Sequence, residues 1–160
     1  MQDLKFNLDE NNQFVVRAIG LLKNGDKVLV QGRKGKEGYG FPGGSVSFLE
    51  ASESTIVREF EEEIGSKVKV NKLDFIVENL FEFDGRKVHQ ISFYYELEFK
   101  DENDKYKNID EFDGIEVGKN LVFKWVDVND KEEIVKPKYI FDMLKELKDG
   151  EIKHFFIDEL

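Results

Sequence analysis

Residues 43–65 read GGSVSFLEASESTIVREFEEEIG, and four glutamates crowd the last seven of them. The pattern predicts a helix from about Ser52 to Ile64. Ala51 or Ser52 begins it, and Ser is the better cap because its hydroxyl can accept from a free backbone N–H. Gly65 ends it as a left-handed cap. Ile56, Val57, Phe60 and Ile64 fall within about 100° of one another and form one apolar face. Glu59, Glu62 and Glu63 are spaced i, i+3 and i+4, so they share a second face, while Glu61 points elsewhere. That carboxylate stripe borders the apolar face rather than opposing it. The arrangement is costly by itself. Like charges at these spacings cost roughly 0.2–0.5 kcal/mol per pair. Carboxylates in the last turns oppose the helix dipole by roughly 0.3–1 kcal/mol each. Arg58 relieves part of this, and a bound divalent cation would relieve all of it. Hard ions such as Mg²⁺ take a few carboxylates, with water and substrate phosphate completing the shell. The plainer alternative is a solvated acidic face.

The flanking residues favour the cation. Gly44, Glu50, Arg58, Glu59, Phe60, Glu62, Glu63 and Gly65 resemble the Nudix box of the Nudix (MutT-like) hydrolases, here spanning 44–66. That signature is a Gly, five residues, a Glu, seven residues, Arg-Glu, an aliphatic, any residue, Glu-Glu, any residue, Gly and an aliphatic. Ser66 replaces the closing aliphatic, Phe60 is aromatic where Leu is commoner, and Leu49 stands where a Gly often precedes the Glu. No carboxylate is lost. The preceding GFPGG (40–44) and the later FKWV are similar to the family as well. The resemblance implies that Glu59, Glu62 and Glu63, with the Gly43 carbonyl, hold Mg²⁺, with Mn²⁺ as a substitute. It implies that Arg58 orients Glu59 and that Glu50 pairs with Arg58. One glutamate would take a proton from the attacking water. The implied reaction is hydrolysis of a diphosphate linkage in a nucleoside diphosphate derivative. Dinucleoside polyphosphates and nucleoside triphosphates are favoured, because LFEFDG (80–85) lacks the Pro that would mark an ADP-ribose specialist.

Outward from the box, QFVVRAIGLL (13–22) is a β-branched, apolar strand. NGD (24–26) marks a hairpin turn and KVLVQG (27–32) the return strand. RKGKEGYGFPGG (33–44) reads as a long loop. KVKVNKLDFIVENLFEF (67–83) and RKVHQISFYYELEF (86–99) read as two long strands joined at Asp84–Gly85. Residues 100–120 read as a second long acidic loop, and LVFKWVDV (121–128) as a strand. A second helix starts near Pro137, buries Tyr139, Ile140, Met143, Leu144 and Leu147, and ends at Gly150. IKHFFI (152–157) is a short final strand. The first twelve residues form a leading strand or a loose arm. Together these elements predict an α/β (α+β) fold, with a mixed β-sheet sandwiched by helices in a single domain over 1–160, the Nudix-type α/β/α sandwich.

Beyond the box, Arg33 is a candidate phosphate clamp through its bidentate fork. Arg17 interrupts an apolar strand and would touch substrate if it faces inward. Phe83 is placed to stack on a base. A further acid from a later loop, Glu111 or Glu116, fits the family habit, and spacing does not choose between them. His89 and His154 lack metal-ligand spacing, and Trp125 reads as core.

Composition limits the partners. The 160 residues are 40% apolar and 36% charged, with net charge −10. Duplex affinity comes largely from neutralised phosphates, so this balance argues against long nucleic acid. A small polyphosphate bridged by cations remains compatible. There is no cysteine, which excludes thiolate metal sites, a cysteine nucleophile and the cysteine-dependent isomerase chemistry seen on this fold. No apolar run reaches the ~18 residues of a membrane span. The acidic start lacks a signal peptide's pattern, which leads to a cytoplasmic expectation. A homodimer is expected by family analogy alone. The competing function is a non-catalytic nucleotide-sensing Nudix module, which would be expected to lose box carboxylates.

Overall fold

The computed structural model describes residues 1–130 and 135–160. β1 (Lys5–Asn7) lies antiparallel to the start of β2 (Asn12–Asn24). The hairpin after β2 turns at Gly25, whose φ of 61° suits the first position of a two-residue loop. The return strand is β3 (Lys27–Arg33), paired to β2 at Lys23↔Val28 and Asn24↔Lys27. Beyond those pairs the two strands part, and each recruits other partners.

The segment 33–44, expected as a loop, carries β4 (Tyr39–Gly40) against β3 and the start of β5 (Gly43–Ser45) against β2. Strands this short and rich in glycine have no alternation to read. The first helix, α1 (Ser52–Ile64), has the expected bounds, and Gly65 closes it at φ 72° with its N–H on the Glu61 carbonyl. Its start differs from expectation. Ala51 is the cap residue and no side chain caps the helix. The Ser52 hydroxyl is instead 2.7 Å from the Tyr95 hydroxyl, so a tertiary partner outcompetes the local amide.

β6 (Val68–Phe83) and β7 (Arg86–Phe99) form the long hairpin, with Asp84 and Gly85 both at positive φ, as a tight primed turn requires. β7 then runs parallel to β2 from Asn12↔Lys87 to Leu22↔Leu97. The acidic segment 100–120 also holds more structure than a loop. A 3₁₀ turn at Lys105–Asn108 is capped by the Asp104 carboxylate, and β8 (Glu111–Asp113) pairs with β9 (Leu121–Asp127). The second helix, α2 (Tyr139–Glu146), stops four residues before Gly150. Phe141 joins Ile140 and Met143 on its buried side, and Tyr139, Leu144 and Leu147 are half-covered there. β10 (Lys153–Asp158) docks parallel on β6.

The sheet order is β10-β6-β7-β2-β3-β9-β8. It contains parallel and antiparallel pairs, with one helix on each face. Successive β2 side chains point to opposite faces. Ala18 and Leu22 therefore join Ile56, Phe60 and Ile64 of α1 in one core. Ile19 and Leu21 join Ile140, Phe141 and Met143 of α2 in the other. Each fully buried large apolar side chain contributes about 1.5–3 kcal/mol. Gly20 is what lets α1 sit this close, because a Cβ there would collide with the Phe60 ring and Leu97.

Candidate active site

The second half of α1 faces two environments. On its outer side, Arg58 Nε and Nη2 donate to the two Glu50 oxygens at 2.9 Å each. Thr55 Oγ1 donates to Glu50 as well, at 2.9 Å. The remaining Arg58 nitrogen, Nη1, donates to Glu59 Oε1 at 2.9 Å and to Glu62 Oε2 at 3.2 Å. Hydrogen bonds from Arg58 hold the Glu50 carboxyl down at about 2, despite burial. The same pairing raises the Arg58 guanidinium further above its ordinary value.

On the inner side, Glu59 and Glu63 are buried, Glu63 at 2% exposure. Gly44 makes room for Glu59, since any Cβ there would overlap its carboxylate. The Ile115 N–H donates to the Glu63 backbone carbonyl at 2.7 Å, drawing the loop 114–120 onto the end of α1. That loop delivers Glu116 and Lys119. The Lys119 ammonium lies 2.8 Å from Glu116, 3.4 Å from Glu63 and 3.9 Å from Glu59. Burial pushes the Glu63 carboxyl up to about 7; the Lys119 charge opposes this and the Glu59 charge adds to it. Burial lowers the Lys119 amine, but the Glu116 hydrogen bond and the Glu63 and Glu59 charges outweigh it and raise the group. Glu63 Oε2 has no hydrogen-bond partner among the described residues.

The three glutamates singled out in the sequence are thus not all together. Glu62 turns outward to Arg58, its side chain 45% exposed. Glu116 joins Glu59 and Glu63 through Lys119. Glu111 lies on β8 opposite Lys124, exposed and outside this cluster. Among the described residues, no three acidic or histidine side chains are close enough to grip a metal ion as they stand.

Next to the carboxylates is a cavity of about 860 Å³, bounded by β2, β6, β7 and the start of α2. β5 separates the two. Gly44 faces Glu59 on one side of it, and Ser45 lines the cavity on the other. Arg17 also lines the cavity, and its Nη2 donates to the Gly43 carbonyl at 3.0 Å. Its Nε has no partner among the described residues. Phe83 stands at the rim, 70% exposed, with Phe81 and Gln90 further in. Gln90 donates to Ser92 Oγ at 2.7 Å. Arg33 does not line the cavity; it ends β3 exposed, opposite Leu121. His89 is exposed and 2.9 Å from Glu78. Trp125 donates to the Tyr106 carbonyl at 2.9 Å within the α1-side core.

Two residues escaped the sequence reading. Asn79 is buried in the cavity wall, its Nδ2 donating to Glu159 at 3.2 Å and its Oδ1 unpartnered among the described residues. A signal existed, because Asn79 is the polar member of the alternating set Phe75, Val77, Asn79 and Phe81. Lys119 carried a fainter one, the one cation of residues 108–120, set between Gly118 and Asn120.

The NUDIX domain family matches residues 12–146. The chain belongs to that family, and with it to the Nudix hydrolases. Among solved structures, a NUDIX hydrolase from Nitrosomonas europaea superposes with TM-score 0.61 at 17% identity, covering 99% of this chain and 80% of that one. A MutT protein from Bacillus halodurans gives TM-score 0.61 at 18% identity, covering 91% of each. An ADP-ribose pyrophosphatase from Streptococcus suis gives 0.52 at 12%, covering 89% of this chain and 98% of that one. At these identities the likeness is one of fold. No curated protein matches the sequence. No helix among the described residues is long and apolar enough to cross a membrane.

Proposed function

We propose that the protein hydrolyses a diphosphate linkage in a small nucleoside diphosphate derivative, with Mg²⁺ or Mn²⁺ held by Glu59, Glu62, Glu63 and the Gly43 carbonyl. The observation that carries this reading is the meeting of buried Glu59 and Glu63 with a cation, across β5 from a cavity lined by Arg17. The residues fit a hard divalent ion. Their donors are carboxylate and carbonyl oxygens, and Glu63 Oε2 is buried without a partner among the described residues. When bound, such an ion lowers the pKa of a water and neutralises phosphate charge.

The chain's own groups do the rest. Arg58, locked by Glu50, fixes the orientation of Glu59. Glu63, or Glu116 beside it, accepts the proton of the attacking water. The cavity takes the nucleoside, with Phe83 and Phe81 offering aromatic faces and the Asn79 carbonyl oxygen an acceptor for a base N–H. Arg17 stands where the cavity meets β5 and would contact the phosphate nearest the sugar. Arg33 would act only on a longer phosphate chain reaching past the rim. A nucleoside triphosphate or dinucleoside polyphosphate suits this layout.

The test is phosphate or pyrophosphate release with Mg²⁺ across normal and oxidised dNTPs, diadenosine polyphosphates, ADP-ribose and nucleotide sugars. At least one should turn over, and Glu63→Gln should abolish it. Ligand binding without turnover in either metal would assign the nucleotide-sensing alternative instead. Millimolar Mg²⁺ should also raise the melting temperature by linkage, and Glu63→Gln should remove that rise.

A further inference from the structure

We propose that Lys119 is the resident cation of the carboxylate centre: its ammonium holds Glu59, Glu63 and Glu116 together until a divalent ion displaces it. The inference rests on the metal-binding reading above and adds a group that reading does not contain.

The geometry is that of a placeholder. The three separations, 2.8, 3.4 and 3.9 Å, are unequal. Glu116 lies in close ionic contact, Glu63 Oε1 accepts a long hydrogen bond at 3.4 Å, and Glu59 is only attracted. An ammonium cannot draw three carboxylates to the ~2.1 Å that Mg²⁺ demands. Glu63 Oε2 remains without a hydrogen-bond partner among the described residues, although the ammonium reaches Oε1 of the same carboxylate. Lys119 and a metal also compete for one volume, because both need the space between the same oxygens. Without Lys119, Glu63 would be buried beside Glu59 with no cation of its own, since Arg58 reaches Glu59 but not Glu63.

The loop is built to let the side chain leave. It is anchored at the start by the Ile115 N–H on the Glu63 carbonyl and the Gly114 N–H on the Leu121 carbonyl, and at the end by the Lys34 N–H on the Asn120 carbonyl, so its backbone stays in place while a side chain moves. Between those anchors and β9, Gly118 (φ 89°) and Asn120 (φ 51°) flank Lys119 in left-handed conformations. Among the described residues, nothing lies within 4 Å of where a Gly118 Cβ would be. The Lys119 side chain is 39% exposed, so its flexible four-carbon stem can swing to solvent without unpacking the core.

Mn²⁺ binding, followed by the loss of the free-ion resonance signal and without substrate, tests this. Where the binding-competent state is only fractionally populated, apparent affinity falls by that fraction. Lys119→Met should therefore bind Mn²⁺ about tenfold more tightly than the wild type. Lys69→Met, which removes the same charge from an exposed pair with Glu98, should change binding less than about twofold. In the wild type, acylation of the Lys119 amine, read by peptide mass, should be slow in chelator and rise severalfold with Mn²⁺. This second measurement decides the matter even if Lys119→Met fails to fold. Equal Mn²⁺ affinity in wild type and Lys119→Met overturns the proposal and leaves the metal reading standing. So does tighter binding with an amine that stays protected, because the gain would then be long-range charge alone. No Mn²⁺ binding to either protein overturns both.

Discussion

The two sides of α1 handle charge in opposite ways. Around Arg58 the accounts balance: three nitrogens and the Thr55 hydroxyl meet Glu50, Glu59 and Glu62 at ordinary hydrogen-bond lengths. One turn further, Glu63, Glu116 and Glu59 share one ammonium at unequal distances, and oxygens are left over. The first network is closed at Glu50 and Arg58, and only the second oxygens of Glu59 and Glu62 remain outside it. The second is under-supplied with cations and buried, so it is where an added cation gains most. Buried polar groups are normally matched. A helix that satisfies one flank and leaves the other short separates the work of rigidity from the work of binding.

Neutralising the open side should have the largest effect. Glu63→Gln is expected to lower kcat by at least about a hundredfold, with the protein still folded. Full activity in this variant would erase the distinction between the two flanks. Opening the closed side should act on stability first. Glu50→Gln leaves Arg58 with a weaker, partly mismatched partner and should destabilise by about 2–3 kcal/mol. Denaturant melts would register this, and a loss below about 0.5 kcal/mol would show the pair to be merely superficial.

The pH dependence should sharpen the contrast, because the two carboxyls shift in opposite directions. Glu50 is held at about 2 in the fold against an ordinary 4.5. Its contribution is present above pH 4.5 and is lost as the pH falls from there through 2. Glu63 is raised to about 7. The folded state then binds its proton more tightly than the unfolded chain, so stability falls as pH rises from 4.5 to 7. Each window spans up to about 3 kcal/mol. Melting in chelator should show Glu50→Gln flattening the acid limb and Glu63→Gln flattening the limb toward neutrality. Identical limbs in both variants would contradict the assignment. The smallest effect belongs to Leu49, a 92% exposed residue at φ 64° just before Glu50. Leu49→Gly removes a left-handed penalty of about 1–2 kcal/mol and adds about 0.5–1 kcal/mol of chain entropy cost. A net gain of at most about 1.5 kcal/mol, seen as a slightly higher Tm, is expected.

The closed flank was readable in advance because it is local. Glu50, Arg58 and Glu59 lie on one short stretch, and its resemblance to the Nudix box implied how they pair. The bounds of α1 and the long β6–β7 hairpin were legible for the same reason, periodicity plus a positive-φ stop. The open flank depends on contacts across the chain. Glu116 and Lys119 reach Glu63 through a loop positioned by backbone hydrogen bonds, and these leave no mark on side-chain pattern. Ser52 looked like a cap, yet Tyr95, 43 residues on, took its hydroxyl. Asn79 sat in plain view on an apolar face. Its role in the wall depends on Glu159, brought back by β10 pairing 80 residues later.

β5 has one more implication. Three residues of nearly bare backbone part whatever fills the cavity from whatever grips the carboxylates. Shape and reach would therefore screen visitors before tightness does. On the proposed function, a substrate would wrap its anionic chain over that thin sill to present an anhydride on the far side. A short phosphate ester lodged deep behind it would be out of the water's line of approach.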